Sequence, residues 1–265
     1  MNLVKAHAFG NDFLLVRDED VPQGTDRGAL ARTLCERHRG IGADGLITFR
    51  ENPGGAGMDL RNADGSFSEV SGNGVRCLAA WLASRRGMRP GDFVEIETAA
   101  GGKRLELQPP GANAGRRLTF RAAMGQPDQL QRRPIDVDGT SIDAVTLRVG
   151  NPQCVVLGDV TAERLHSLAA RLAVHPVFPE GTNVELARIE APDRVRILIW
   201  ERGVGPTEAS GTGACAAAVA AIAYGGAARD VQVISPGGGQ RVEWNDTGLF
   251  LTGWAEVLFE ARWMT

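Results

Sequence analysis

The sequence lacks several features that mark particular classes of protein. No apolar run approaches the ~20 residues of a membrane-spanning helix, so no membrane association is predicted. Lysine and arginine total 29 against 32 aspartate and glutamate residues, and the basic excess typical of nucleic-acid-binding proteins is absent. The first residues lack the charged-then-apolar pattern of a signal peptide, and we therefore expect a cytoplasmic protein.

Residues that bind metals or form disulfides are also few. The four cysteines, Cys35, Cys77, Cys154 and Cys215, show no CxxC spacing, and the four histidines form no HxxxH or HExxH pattern. Disulfides are rare in large cytosolic chains. We therefore expect buried free thiols, no metal site and no cofactor.

What the chain has in excess is glycine, with 34 residues among 265. Glycine is favoured in tight turns and where the backbone closely approaches a ligand. The apolar content of 43% and charged content of 23% are typical of a globular protein. The length suits two domains of about 130 residues each.

An internal repeat supports this division. The segment SGNGVRCLAAWLA at 71–83 resembles SGTGACAAAVAAIA at 210–223, and VEIETAAGGKRLEL at 94–107 resembles VQVISPGGGQRVEW at 231–244. Both copies have the same order of glycine-rich turn, helix, strand, glycine turn and strand. The sequence therefore predicts two homologous halves.

Local patterns predict a mixture of helices and strands in both halves. Helices are expected at 26–38, 73–86, 161–173 and 212–224, with Asp26 and Thr161 as N-caps. Alternating or β-branched segments predict strands at Leu14–Val16, Gly45–Phe49, Val94–Glu97, Arg104–Leu107, Leu118–Arg121, Thr146–Val149, Cys154–Leu157, Val195–Trp200, Val231–Ile234, Arg241–Trp244, Leu249–Leu251 and Ala255–Phe259. Hairpin connections favour mixed or antiparallel sheets, and PPGANAG at 109–115 is the best linker candidate.

Each Ser-Gly-X-Gly turn stands directly before a predicted helix. The first N–H groups of a helix have no internal partner and can bind an anion, with support from the helix dipole. Ser71 and Ser210 could equally serve only as N-caps. If the two halves face each other, however, both helix ends could meet one carboxylate, with the two serines on its opposite sides.

Eight stretches of the chain resemble the diaminopimelate epimerase family of cofactor-independent amino-acid racemases and epimerases. They follow the family's order from end to end: KAHAFGNDFLLV (5–16), ERHRGIGADGLI (36–47), RNADGSFSEVSGNGVRC (61–77), VGNPQCVV (149–156), GTNVE (181–185), WERGVGPTEASGTGACA (200–216), PGGGQRVEW (236–244) and LTGWAEVLFEA (251–261).

The resemblance implies an α/β (α+β) fold of two pseudo-symmetric lobes. Each lobe is a curved mixed or antiparallel sheet around a central helix, and the active site lies in the cleft between them. We expect an N-terminal lobe at 1–112, joined by a last strand at 255–265, and a C-terminal lobe at 113–254. A small amino-acid substrate, a role in lysine biosynthesis and a homodimer are also implied.

The resemblance further implies a set of site residues. The acid–base positions fall on Ser71 and Ser210, where the family has cysteines, and Cys77 and Cys215 match other positions. Gln153 stands where the family usually has histidine, and Phe67 where it has an acidic or polar residue. The implied substrate-binding residues are Asn11, Asn62, Gly72, Asn73, Asn151, Gln153, Asn183, Glu201, Arg202, Gly211 and Thr212.

The two serines leave three hypotheses open, because a serine hydroxyl is a far weaker acid than a thiol and normally needs an adjacent base. The first is an epimerase or racemase in which the cysteines were changed to serine, naturally or by construction. The second is a divergent isomerase or dehydratase acting on a (hydroxylated) amino acid. The third is a non-catalytic amino-acid-binding protein.

Overall fold

The computed structural model describes residues 1–111 and 115–264 of the chain. These residues form two compact units. The first contains residues up to Ala122 together with those from Gly253 onward, and the second contains Ala123–Thr252. Part of the linker predicted at 109–115 and the domain boundary predicted at 112 and 113 lie outside the described residues.

The first unit is built from strands around one buried helix. Its strands are β1 (Asn2–Ala8), β2 (Asn11–Arg17), β3 (Gly45–Asn52), β4 (Gly55–Asn62), β5 (Phe67–Ser68), β6 (Phe93–Thr98), β7 (Gly101–Leu107), the start of β8 (Leu118–Gly125) and the part of the last strand that follows Thr252. Its helices are a 3₁₀ turn at Asp18–Asp20, α1 (Arg27–Cys35) and α2 (Gly72–Arg86). Every residue of α2 from Asn73 to Ala83 is buried, which makes it the central helix of this unit.

The second unit repeats this order of elements. Its strands are β9 (Asp128–Val137), β10 (Thr140–Val149), β11 (Asn151–Leu157), β12 (Asn183–Ala191), β13 (Arg194–Glu201), β14 (Gly205–Thr207), β15 (Asp230–Ser235), β16 (Gly238–Asn245) and the start of β17 (Gly248–Arg262). Helical turns α3 (Ala162–Arg164), a π-helix (Leu165–Ala169) and α4 (Ala170–Ala173) are followed by α5 (Gly211–Gly225). The core packs around α5, whose alanines admit the surrounding strands closely.

Strand pairing shows that the two units share one topology. In the first unit β1–β2, β3–β4, β4–β5, β6–β7 and β7–β8 pair antiparallel, whereas β2–β3 and β4–β6 pair parallel. In the second unit β10–β11, β12–β13, β13–β14, β15–β16 and β16–β17 pair antiparallel, whereas β11–β12 and β13–β15 pair parallel. The mixed, strand-rich α+β fold and the repeat predicted from the sequence are confirmed.

The predicted helices exist, but two differ from the prediction. The helix expected over 26–38 ends at Cys35, because Glu36 has extended dihedrals and its carboxylate accepts the backbone N–H of His38 at 2.8 Å. The helix expected over 161–173 contains the π-helical turn in its middle. Asp26 and Thr161 are N-caps as predicted, each accepting backbone N–H groups of the first helical turn.

No described helix is long and apolar enough to cross a membrane.

Candidate active site

The two buried helices begin at the serines of the repeated turn. Ser71 Oγ accepts the backbone N–H of Gly74 at 3.1 Å, and Ser210 Oγ accepts that of Gly213 at 3.1 Å. Both serines have extended backbone dihedrals, as N-caps do. The structure thus confirms both serines as caps, and each hydroxyl still has a proton to donate.

The residues beneath the two caps occupy equivalent positions in the two units. Phe13 pairs with Gly45 across β2–β3, and Gln153 pairs with Asn183 across β11–β12. Ile47 and Glu185 each lie two residues further along the second strand of their pair. The first unit therefore has phenylalanine and isoleucine where the second has glutamine and glutamate.

The second glycine of each Ser-Gly-X-Gly turn is required because side chains of the sheet closely approach the first turn of each helix. A Cβ atom added at Gly74 would lie 2.9 Å from Ile47 Cδ1. A Cβ atom added at Gly213 would lie 2.6 Å from Glu185 Oε1 and 3.2 Å from Ser210 Oγ. The second glycine of each Ser-Gly-X-Gly turn thus leaves room for a side chain beneath the helix end.

In the first unit, an amide chain connects α2 to the start of β2. Asn73 Nδ2 donates to Asn11 Oδ1 at 3.1 Å, and Asn11 Nδ2 donates to Asp44 Oδ2 at 2.7 Å. The buried Arg76 donates to Asn73 Oδ1, which fixes the orientation of that amide. Two of the predicted binding residues, Asn11 and Asn73, are therefore held together beside Ser71.

Charged groups anchor this amide chain. Asp12 bonds Lys5 Nζ at 2.6 Å and Arg37 Nη2 at 3.1 Å, and Arg37 also bonds Asp44 at 2.8 Å. Burial acts to raise the pKa of Asp12, but hydrogen bonds and charge from Lys5 and Arg37 hold it below its usual value. Asp12 is therefore an ionised structural group.

The remaining predicted residues of the first unit are more open. Asn62 is exposed, and its Nδ2 donates to Ser66 Oγ at 3.0 Å rather than to the Asn11–Asn73 pair. A Cβ atom added at Gly72 would meet nothing within 4 Å, so the first turn of α2 is open on that side.

In the second unit, the predicted asparagines are held by neighbouring polar groups. Gln153 Nε2 donates to Asn151 Oδ1 at 2.6 Å. Asn183 Oδ1 accepts the backbone N–H of Arg202 at 2.9 Å, and Arg202 Nη1 donates to the carbonyl of Glu180 at 2.6 Å. The guanidinium of Arg202 is exposed, unlike Gln153 and Asn183.

Ser210 has a carboxyl neighbour. Burial raises the pKa of Glu201 above its ordinary value, and the nearby Ser210 hydroxyl offsets part of that rise. Ser210 Oγ also lies 3.5 Å from Thr212 Oγ1, and its carbonyl accepts from Gln240 Nε2 at 3.4 Å. Among the described residues, Ser71 Oγ has only its capping bond to Gly74.

Sequence reasoning assigned no role to Glu185, although it ends the GTNVE motif. This side chain is completely buried, and neither carboxyl oxygen has a hydrogen-bond partner among the described residues. Burial and the nearby Glu201 raise the pKa of Glu185 well above its ordinary value, which favours its un-ionised form. Its one sequence signal is an acidic residue between apolar neighbours.

None of the four cysteines takes the place of the missing thiol pair. All are buried free thiols, as predicted. Burial raises the pKa of Cys35 and of Cys154 to about 12, and it raises the pKa of Cys77 further. A thiol that stays protonated is a poor base.

The Ser210–Glu201 pair contains a base that could help to remove a proton, whereas Ser71 Oγ has only its capping bond among the described residues. A helix dipole contributes only ~0.3–2 kcal/mol, too little to ionise a serine at neutral pH. With an adjacent carboxylate the serine need not be ionised beforehand. The carboxylate accepts the hydroxyl proton of the serine while the serine oxygen accepts a proton from the substrate. The arrangement is suited to proton transfer beside a helix end whose free N–H groups can bind an anion.

Known proteins resemble this chain over its whole length. The family model described as diaminopimelate epimerase matches residues 3–128 and 145–258. A diaminopimelate epimerase from Desulforudis audaxviator is 40% identical, over 100% of this chain and 99% of that protein.

Two solved structures share the fold at lower identity. A probable proline racemase from Agrobacterium radiobacter has a TM-score of 0.72 at 17% identity, covering 99% of this chain and 92% of that one. A hydroxyproline epimerase from Agrobacterium vitis has a TM-score of 0.69 at 16% identity, covering 98% and 90%.

Proposed function

Since the chain belongs to the diaminopimelate epimerase family and is an isomerase of the epimerase type, we propose that Ser210 and Glu201 together move the Cα proton of its amino-acid substrate. The observation that carries the proposal is that the Ser210 hydroxyl lies near the partly buried Glu201 carboxyl and lowers its pKa against the effect of burial. That carboxyl would supply the base that a serine needs to act in place of cysteine.

The proposed step conserves protons and charge. The Cα–H bond breaks, its proton passes to Ser210 Oγ, and the hydroxyl proton of Ser210 passes to the Glu201 carboxylate. The electron pair stays on Cα and is delocalised into the substrate carboxylate. In an epimerase, Ser71 gives its hydroxyl proton to the opposite face of Cα while taking a replacement from water, and Glu201 later releases its proton to water, so that both groups return to their starting states. This step requires the two serines to lie on opposite sides of the substrate.

Substrate binding follows from the same residues. The N–H groups of Gly72, Asn73, Gly211 and Thr212 would bind the α-carboxylate, because helix N-termini favour anions. Asn11, Asn62, Asn151, Asn183 and Arg202 would bind the polar groups around it. The names of the relatives make diaminopimelate the first substrate to test, and no cofactor is required by this scheme. A homodimer and a cytoplasmic location remain predictions from the sequence.

A second candidate function is a one-sided isomerase or dehydratase acting on a hydroxylated amino acid. It is favoured by the difference between the two serines, because Ser210 has a carboxyl partner whereas Ser71 has only its capping bond among the described residues. Removing a proton from one face requires only one base. A protein that binds amino acids without catalysis is the third alternative.

Hydrogen exchange at Cα in D₂O, followed by NMR, separates these functions. The wild-type chain is tested beside its Ser71→Cys/Ser210→Cys variant, with diaminopimelate and a panel of amino acids that includes hydroxylated ones. Exchange with inversion by wild type supports the epimerase, and loss of water supports the dehydratase. Binding without exchange in wild type refutes the proposed role of Ser210 and Glu201.

A further inference from the structure

We propose that Glu185 is a positioning residue whose un-ionised carboxyl donates a hydrogen bond to Gln153 Oε1, and thereby fixes the amide of Asn151. The hydrogen bonds then run in one direction, from Glu185 to Gln153 to Asn151. The part of this inference that concerns substrate rests on the proposed function, since Asn151 is a substrate-binding residue only there.

Unpaired buried atoms are the first observation that supports this bond. Gln153 is 1% exposed, and its Oε1 has no hydrogen-bond partner among the described residues. Both carboxyl oxygens of Glu185 are also buried and have no hydrogen-bond partner among the described residues. An un-ionised carboxylic acid needs an acceptor, and a buried amide oxygen needs a donor. A bond between them removes two costly unsatisfied groups at once.

Strand register places the two side chains on one face. Gln153 pairs with Asn183 on the parallel neighbour β12, and Glu185 lies two residues further along that strand. Residues two apart on a strand point to the same side. Gln153 and Glu185 are therefore adjacent long side chains on the face beneath α5.

The equivalent residues of the first unit show that these positions converge. A Cβ atom added at Gly74 would lie 2.9 Å from Ile47 Cδ1 and 3.5 Å from Phe13 Cε1, so both side chains reach one point beneath α2. Glu185 Oε1 already lies at the corresponding point beneath α5, 2.6 Å from a Cβ atom added at Gly213. The second unit has replaced an apolar contact by a polar pair.

The direction of these hydrogen bonds determines which atoms of the Asn151 amide remain free to bind a ligand. Gln153 Nε2 donates to Asn151 Oδ1 at 2.6 Å, which is possible only while Gln153 Oε1 points the other way. A donor at Glu185 stabilises that orientation of Gln153. Asn151 Oδ1 is then occupied, and its two Nδ2 hydrogens remain for an acceptor such as a carboxylate.

In the first unit, a different donor occupies the Oδ1 atom of the equivalent asparagine. The equivalent of Asn151 is Asn11, whose Oδ1 accepts from Asn73 of the helix at 3.1 Å. In the second unit the position of Asn73 is occupied by Thr212, and a threonine side chain has no amide N–H to donate. The Glu185–Gln153 pair takes over that task from within the sheet.

Three variants test the inference: Glu185→Gln, Glu185→Ile and Gln153→Leu. Glutamine keeps the shape and supplies an N–H donor, whereas isoleucine is the residue at the equivalent position, Ile47. The readouts are KM and kcat for Cα–H exchange. We expect Glu185→Gln to stay within about twofold of wild type, and Glu185→Ile to raise KM about three- to tenfold with little change in kcat.

The two positions should also act as one unit. The Glu185→Ile/Gln153→Leu double variant is expected to be no worse than either single variant, because both remove the same bond. If the two losses multiply, or if Glu185→Gln is as impaired as Glu185→Ile, the proposed bond is wrong. An unchanged KM in Glu185→Ile overturns the positioning role.

A measurement on the ligand-free protein separates failure of this inference from failure of the proposed function. Infrared difference spectra at neutral pH should show the C=O stretch of an un-ionised carboxylic acid that disappears in Glu185→Gln. Absence of that band in wild type overturns the inference whatever the activity. If no amino acid undergoes exchange, the band and the coupling of Glu185→Ile with Gln153→Leu in unfolding free energy still decide whether the bond exists.

Discussion

Replacing each serine by alanine should remove one helix cap from each unit but impair proton transfer unequally. Ser71→Ala and Ser210→Ala each remove one capping hydrogen bond of 3.1 Å from an equivalent buried helix. Loss of a serine N-cap costs about 1 kcal/mol, within a range of roughly 0.5–2 kcal/mol. For domains of this size that lowers the Tm by only a few degrees. Each variant therefore serves as the stability control for the other.

The chemical consequences differ because the Ser210 hydroxyl lies near the Glu201 carboxyl, whereas Ser71 Oγ has only its capping bond among the described residues. General acid–base assistance contributes roughly 10²- to 10⁴-fold to a rate. Ser210→Ala should therefore lower Cα–H exchange by at least about 10²-fold. Ser71→Ala should retain exchange of the isomer whose proton faces Ser210, while losing inversion.

The assay is NMR of deuterium incorporation at Cα, run separately on each stereoisomer, with thermal unfolding of each variant measured in parallel. An equal loss of exchange in the two variants would refute the reasoning. So would undiminished exchange in Ser210→Ala.

Three further predictions follow from the same site. Gly213→Ala should cost about 1–3 kcal/mol of stability, since its Cβ would lie 2.6 Å from Glu185 Oε1, whereas Gly72→Ala meets nothing within 4 Å and should be neutral or stabilising in chemical denaturation. Arg202→Ala should weaken binding of diaminopimelate by about 1.5–3 kcal/mol, because a charge-assisted bond is lost, and unchanged affinity by calorimetry would exclude that role. Because the folded-state pKa of Glu185 is raised, its burial costs stability as pH rises above the ordinary carboxyl pKa of about 4.3, so Glu185→Gln should lose less unfolding free energy than wild type as pH rises from about 4 toward the raised pKa. Parallel pH curves for the two proteins would contradict it.

Much of the fold could be predicted because local signals agreed with the tertiary structure. Both central helices begin at a serine and end before a glycine in the left-handed conformation, Gly87 and Gly226. The two Ser-Gly-X-Gly turns, with the repeated order of helix and glycine hairpin, identified the duplication. The strands with alternating or β-branched residues were found for the same reason.

Strands without such a pattern could not be predicted. GAGMDLRN at Gly55–Asn62 lacks alternation, yet it forms β4 because β3 and β6 pair with it on both sides. A Cβ atom at Gly55 would lie 1.8 Å from the carbonyl oxygen of Glu95, so close strand approach requires glycine there. The two short strands expected at 249–251 and 255–259 are one continuous strand, β17.

The residues of the candidate site could also be predicted only in part from the sequence. Family motifs identified the serines and their neighbours, and the structure joins several of them in hydrogen-bonded groups. Glu185 could not be assigned, because its character depends on burial beneath α5 and on the register of β12 against β11. Neither is visible in a single sequence.

The central claim is that the Glu201 carboxylate accepts the proton from Ser210, and the pH dependence of Cα–H exchange tests it most directly. Burial raises the pKa of Glu201, and the active form is ionised, so wild-type exchange should fall as pH decreases through that raised pKa. The Glu201→Gln variant should be slower by about 10²-fold or more and should lack this acidic limb. Equal rates and the same acidic limb in both proteins would contradict the account.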